Sequence, residues 1–225
     1  MNSAAGLQAP APVAGGANGA LVGVVDYGMG NRRSVEKALA HVGARVVLTA
    51  DRSVLGGCDG LVVPGVGAFP KAMSSLRELG LDELIVERVR AGLPVLGICL
   101  GMQLAFERSS EHGGADGLGI VPGEVRELAA GTLKLPHIGW SEVRWERDSA
   151  LLAGVAPGRA YYHVHSLVGV PEESGDVLGS AEYGERFVTA VSRGSFTGVQ
   201  FHPEKSSLDG LRLLANFVSI CVPAA

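Results

Sequence analysis

Three short apolar runs constrain the fold of this chain more than any other feature. They are LVGVVDY (21–27), GLVVPG (60–65) and PVLGIC (94–99). Each is too short to span a membrane and shows little polar alternation, the pattern of a strand buried on both faces in a parallel sheet. RVVLTA (45–50) predicts a further strand between the first two runs. Val35, Ala38, Leu39 and Val42 recur at i, i+3, i+4, i+7, one face of a helix, with Gly43 at its C-terminal end. Leu81, Leu84, Ile85 and Val89 form a second helical stripe, stopped by Gly92 and Pro94. Strand–helix–strand units of this length predict an α/β fold, a largely parallel central sheet with helices on both faces. Beyond residue 118 the pattern changes. Segments 119–128, 141–145, 160–167 and 187–201 read as strands joined by short turns, predicting antiparallel hairpins added to the sheet. Leu211, Leu214, Ala215 and Val218 predict a closing helix.

At 225 residues with 47% hydrophobic and 19% charged residues, the chain has the composition of a globular domain. The first twenty residues are uncharged and rich in Ala, Gly and Pro. They lack the basic start and unbroken apolar centre of a signal peptide. The expected organisation is a disordered tail over 1–20 and one domain over 21–225. A net charge of −4 gives no electrostatic footprint for nucleic acid or an anionic membrane surface. Cys58, Cys99 and Cys221 are widely spaced and form no C-x-x-C. That argues against a disulfide framework or zinc site and predicts a reducing, cytoplasmic compartment.

The chemistry centres on Cys99. It ends a buried strand, precedes a predicted helix and is flanked by glycines in G-I-C-L-G. This is the form of a nucleophile elbow with Cys in place of Ser. A helix N-terminus beneath the sulfur favours thiolate, and the Leu100 N–H points toward a developing oxyanion. A lone buried cysteine would be only a small hydrophobe. GVQFHPEKS (198–206), however, supplies a base at the end of another apolar strand. His202 and Glu204 stand at i and i+2 and share a side if the segment is extended. Glu204 then holds one imidazole nitrogen while the other faces the sulfur. Pro64-Gly65-Val66-Gly67 follows another buried strand, and its glycines would let the Val66 peptide reorient to present a second oxyanion N–H.

Two other patterns carry less. Gly28-Met29-Gly30 has Arg33 where a dinucleotide fingerprint needs its third glycine, so nucleotide binding is rejected. His163 and His165 at i, i+2 lack a third ligand nearby in sequence, so no metal or other cofactor is expected and one of the pair is read as a core or interface histidine.

GICLGMQ together with HPE resembles the signature pair of the class I (triad) glutamine amidotransferases, over nearly the whole stretch from Leu21 to Val218. DYGMGN (26–31), PGVGAF (64–69), LPHIGW (135–140), VHS (164–166) and HPEKS (202–206) are similar, more narrowly, to the glutaminase subunits of imidazole glycerol phosphate synthases of histidine biosynthesis. The resemblance implies a flavodoxin-like fold and hydrolysis of glutamine to glutamate and ammonia through a thioester on Cys99. His202 would be general base and acid, and Glu204 its orienter. Val66 and Leu100 would supply oxyanion N–H groups. Gln103 and Glu111 would hold the α-amino end of glutamine, with Ser166 contacting it through backbone. It also implies a heterodimer with a (β/α)₈-barrel cyclase subunit, to which ammonia passes. The cyclase would make imidazole glycerol phosphate and aminoimidazole carboxamide ribonucleotide. Asn31, Pro136, Trp140 and Lys205 match positions facing that partner. His163 and Leu167 depart from the pattern, which carries aromatic residues there. The competing readings are another class I glutaminase subunit, such as that of pyridoxal phosphate synthase, a stand-alone γ-glutamyl peptidase, or a catalytically silent binding protein. LPHIGW disfavours the first, and the intact Cys, His and Glu disfavour the last.

Overall fold

The structure is a computed structural model describing residues 19–222. In chain order its elements are β1 (Leu21–Val25), α1 (Arg32–His41), β2 (Arg45–Thr49), α2 (Arg52–Gly56), β3 (Gly60–Val63), α3 (Phe69–Glu78), α4 (Leu81–Arg90), β4 (Val95–Ile98) and α5 (Leu100–Gln103). There follow β5 (Phe106–Ser109), β6 (Ala115–Asp116), β7 (Val121–Glu127), β8 (His137–Glu142), β9 (Arg144–Trp145), β10 (Ala160–His165), β11 (Leu167–Pro171), β12 (Val177–Tyr183), β13 (Glu185–Arg193), β14 (Phe196–Val199) and α6 (Ser207–Cys221).

The predicted parallel half is present. Strands β2, β1, β3, β4 and β14 lie side by side, each pair parallel. Alternate side chains go to opposite faces. Val22, Val24, Val62, Leu96 and Ile98 pack with Leu39 of α1 and Leu214, Phe217 and Val218 of α6. Val25, Leu61, Val63 and Val95 pack with Phe69, Met73 and Leu76 of α3 and Leu81 and Ile85 of α4. Gly43 has φ 98° and follows the helix as expected, since glycine enters that region without a Cβ clash.

The second half is antiparallel apart from β5 beside β7. The sheet continues from β14 through β13, β11 and β7, with β12 on the other edge of β13. Several predicted strands prove to be two. Segment 187–201 divides at Gly194, which has φ 58°, into β13 and β14. Segment 160–167 divides at Ser166 into β10 and β11. Strand β10 pairs with β8 in a separate two-stranded sheet, aligning His165 with His137 and Tyr162 with Trp140. Helices α2 and α3 and strand β12 have no counterpart in the sequence reading. Most of the proposed tail lies outside the described residues. Residue 20 belongs to the packed body: Ala20 is buried, and its carbonyl accepts the Arg45 N–H at 3.0 Å.

Candidate active site

The turn at Cys99 is strained. Its φ of 53° and ψ of −107° place a non-glycine residue in a region costing about 1–3 kcal/mol. The flanking glycines make that turn possible. A Cβ on Gly97 would lie 2.6 Å from the Gly101 carbonyl oxygen, and one on Gly101 would overlap the Val63 carbonyl. The Cys99 N–H donates to Val199 O at 2.7 Å, tying the elbow to β14. The predicted helix beyond it is present as a single turn, four residues long.

His202 arrives from β14, which runs parallel to β4 with Val199 opposite Ile98. Its N–H donates to Tyr162 O at 2.9 Å, and its carbonyl accepts the Ser206 hydroxyl at 2.6 Å. Nδ1 lies 2.8 Å from Glu204 Oε1, with both side chains fully buried. The expected partnership stands, but its local geometry differs from the expectation. Residues Pro203–Lys205 form a 3-10 turn, and that turn, not an extended strand, returns the carboxylate to the ring. Burial opposes the imidazolium form. Hydrogen bonding and attraction to Cys99 and Glu204 outweigh it and hold the His202 pKa up at about 9. Nε2 is buried and makes no hydrogen bond of standard geometry.

Asn31 reaches the pair from the start of α1. It caps α1 with φ 74°, and its Nδ2 donates to Glu204 Oε1 at 2.7 Å. Its amide thus braces the carboxylate. Trp140 is 54% exposed, and the Lys205 ammonium lies 5.9 Å from the Tyr162 ring centroid, so these three share one face. Pro136 lines the cavity over Cys99.

That cavity is about 220 Å³ and brings together Val66, Cys99, Leu100, Gln103, Glu111 and Ser166. Glu111 Oε2 accepts the Phe69 N–H at 2.6 Å, which fixes one carboxylate oxygen. The Ser166 carbonyl is engaged by Leu128 N–H at 2.9 Å. The Leu100 N–H donates to Gly65 O at 3.4 Å, so the expected oxyanion donor is occupied by a main-chain carbonyl. Tyr27, unremarked in the sequence reading, anchors this loop by donating its hydroxyl to Pro64 O at 2.5 Å. A larger cleft of about 500 Å³ lies beside Trp140, but its Arg186 is paired with Glu146 at 2.6 Å and neither cysteine nor histidine lines it.

His163 and His165 are buried, and their ring nitrogens are spoken for. His165 Nδ1 donates to Leu167 O at 2.9 Å, so its Nε2 accepts from His137 Nδ1 at 3.1 Å. His137 Nε2 then accepts the Ser141 hydroxyl at 3.0 Å. His163 donates to Tyr161 O at 2.9 Å and accepts from Thr189 at 2.7 Å. Burial lowers the pKa of all three, His165 to about 4. His163 is therefore the core histidine that the sequence reading allowed.

Comparison with known proteins agrees with this geometry. Residues 23–221 match the family described as glutamine amidotransferase class-I. The chain is 48% identical to the imidazole glycerol phosphate synthase subunit HisH of Moorella thermoacetica, over 87% of this chain and 93% of that protein. The HisH subunit of Aquifex aeolicus is 50% identical over 86% of this chain and 94% of that protein. That of Bacillus cereus is 46% identical over 89% and 95%. A crystal structure of a glutamine amidotransferase shares the fold, with a TM-score of 0.71, 22% identity and coverage of 89% of this chain and 98% of that one. The chain thus belongs to the HisH family of imidazole glycerol phosphate synthase subunits, within the class I glutamine amidotransferases.

Proposed function

We propose that this chain is a glutaminase that feeds ammonia to a cyclase partner and is held nearly silent until that partner engages it. The observation that carries the reading is the combination of a strained Cys99, a His202–Glu204 pair beside it, and a Gly65 carbonyl on the Leu100 N–H.

The chemistry follows from these groups. The Cys99 thiolate attacks the carboxamide carbon of glutamine, and the carbonyl oxygen becomes an oxyanion. His202, as imidazolium, protonates the departing nitrogen; ammonia leaves and a thioester remains. His202, now neutral, takes a proton from water as the water attacks the thioester, and glutamate is released with the thiolate restored. Glu204 holds the imidazole by Nδ1, and Asn31 holds Glu204. Gln103 and Glu111 face the cavity where the α-amino end would lie.

In the structure described here the Leu100 N–H cannot serve the oxyanion while it donates to Gly65 O. Rotation of the Gly65–Val66 peptide would free it and turn the Val66 N–H inward. Loss of one oxyanion donor typically costs about 10²–10³ in rate. A partner that binds the rotated state more tightly restores activity by that difference in affinity, and no more. Trp140, Tyr162 and Lys205 offer the docking face, with ammonia passing to a barrel cyclase that makes imidazole glycerol phosphate.

The test is glutamate release by the purified chain alone, with the cyclase subunit, and with cyclase plus its nucleotide ligand. Activation of about 10²-fold or more is expected on full assembly. A chain fully active alone, and unchanged by either addition, would point to a stand-alone glutaminase or peptidase.

A further inference from the structure

Gln200 follows β14, immediately before the Phe201-His202 pair, and its side chain is wholly buried. It is not among the residues assigned above to the triad, the oxyanion site or glutamine binding. Its amide lies between two that are. Gln103 Nε2 donates to Gln200 Oε1 at 3.0 Å, and Gln200 Nε2 points to Cys99 Sγ at 3.6 Å. Gln103 Nε2 also donates to the main-chain carbonyl of Leu167 at 3.1 Å.

Amide oxygen and nitrogen are assigned from their hydrogen bonds, and here one carbonyl settles both side chains. Leu167 O can only accept, so Gln103 must turn its NH₂ toward it. That NH₂ then meets Gln200, which must answer with its oxygen. The Gln200 NH₂ is left facing the sulfur. The relay therefore has a fixed polarity, from a strand carbonyl through two amides to an N–H donor on the nucleophile.

Resting on the reading of Cys99 as nucleophile, we propose that Gln200 is a catalytic residue: it donates a hydrogen bond to the Cys99 thiolate and favours the charged form. A donor to an ionised acceptor is stronger than a neutral pair, and in a buried site the charge gains more from it. His202 is the mobile proton carrier. Gln200 cannot take the proton, so it acts only on the sulfur as a thiolate, before attack on the carboxamide and as the thioester breaks down. The same relay leaves Gln103 Oε1 to accept from the ammonium of a bound amino acid, so the residue that holds substrate also fixes the donor on sulfur.

The experiment uses the full chain and needs neither partner nor glutamine. Cys99 alkylation by iodoacetamide is followed across pH by mass spectrometry of its peptide, which separates it from Cys58 and Cys221. Gln200→Met removes the donor, and alkylation at neutral pH should fall by about 10- to 100-fold, with the profile moved to higher pH. Gln200→Glu keeps size and the acceptor for Gln103 but sets a carboxylate against the sulfur; it should move the profile further than the Met variant. A purely structural Gln200 predicts the opposite order, because Glu is the closer replacement in shape. Gln103→Leu, which frees Gln200 to rotate, should shift the profile in the same direction by less and covers the case in which a residue 200 variant fails to fold. Folded variants with the wild-type alkylation profile would overturn the role of Gln200 alone. Failure of the wild-type complex to hydrolyse glutamine would instead overturn the glutaminase reading.

Discussion

Replacing Glu204 with Gln removes one negative charge while leaving the side chain its shape. Glu204 Oε1 accepts from His202 Nδ1 at 2.8 Å and from Asn31 Nδ2 at 2.7 Å, and its other oxygen is buried without a hydrogen-bond partner. In the variant, the amide oxygen can keep both bonds, while the new NH₂ occupies the unpartnered position. The expected folding cost is about 1–3 kcal/mol for a buried donor without an acceptor. The electrostatic effect is larger in consequence. A charge-assisted hydrogen bond is worth about 1.5–3 kcal/mol, or about one to two pH units at 1.36 kcal/mol each. His202 would fall from about 9 to about 7–8 by this reasoning. The sign is fixed: a base with a raised native pKa contributes stability below its unfolded value and loses it as pH rises through the native value. The imidazolium needed to protonate the leaving ammonia therefore disappears at lower pH in the variant. ¹⁵N-labelled imidazole NMR gives the His202 midpoint, and kcat/KM of the ligand-activated complex gives the alkaline limb. Both should move down together. A midpoint still at about 9, or moved upward, would refute the assigned role of Glu204.

Three further outcomes are expected. Cys99→Ala should abolish glutamine hydrolysis, cost more activity than Glu204→Gln and leave the melting temperature no lower; the complex with cyclase should still form product from added ammonium salt at elevated pH. Gly101→Ala should leave little folded protein, because its Cβ overlaps the Val63 carbonyl; circular dichroism and soluble yield would read this, and a native-like melt would contradict the packing. Stability should fall as pH drops from about 6.5 toward 4, since burial keeps His165 neutral down to about 4 while the unfolded chain protonates; denaturant titrations at successive pH values should show a loss on the order of a few kcal/mol.

The parallel half of the fold was legible because its strands are buried on both faces and its helices on one, which imposes simple periods on the sequence. Gly97 and Gly101 were legible for a steric reason that the structure bears out. The antiparallel half was harder. Residues 160–167 form a continuous apolar and aromatic pattern, yet the chain changes partner at Ser166, from β8 to β7, and nothing in local composition marks the switch. Cys99, His202 and Glu204 stood out as motifs, whereas the contacts that brace them did not. Asn31 is 173 residues from Glu204 in sequence, and no local spacing reports such a contact. The neighbours of Glu204 on its motif, Gln200 and Ser206, were visible as letters within GVQFHPEKS, but a sequence does not say which way an amide turns.

The position of β14 has a consequence for how an active molecule comes into being. It is the last strand in the chain, yet it lies in the middle of the sheet, between β4 and β13. Gln200 and Cys99, which it brings together, are separated by 101 residues. At about 5–20 residues per second, a ribosome needs about 5–20 s to deliver that strand after the cysteine has been made. Throughout that interval β4 is an unpaired parallel edge, the slow and aggregation-exposed kind of pairing. A nascent or truncated chain ending before β14 holds Cys99 without Gln200, His202 and Glu204, so completing the sheet and assembling the candidate site become one event.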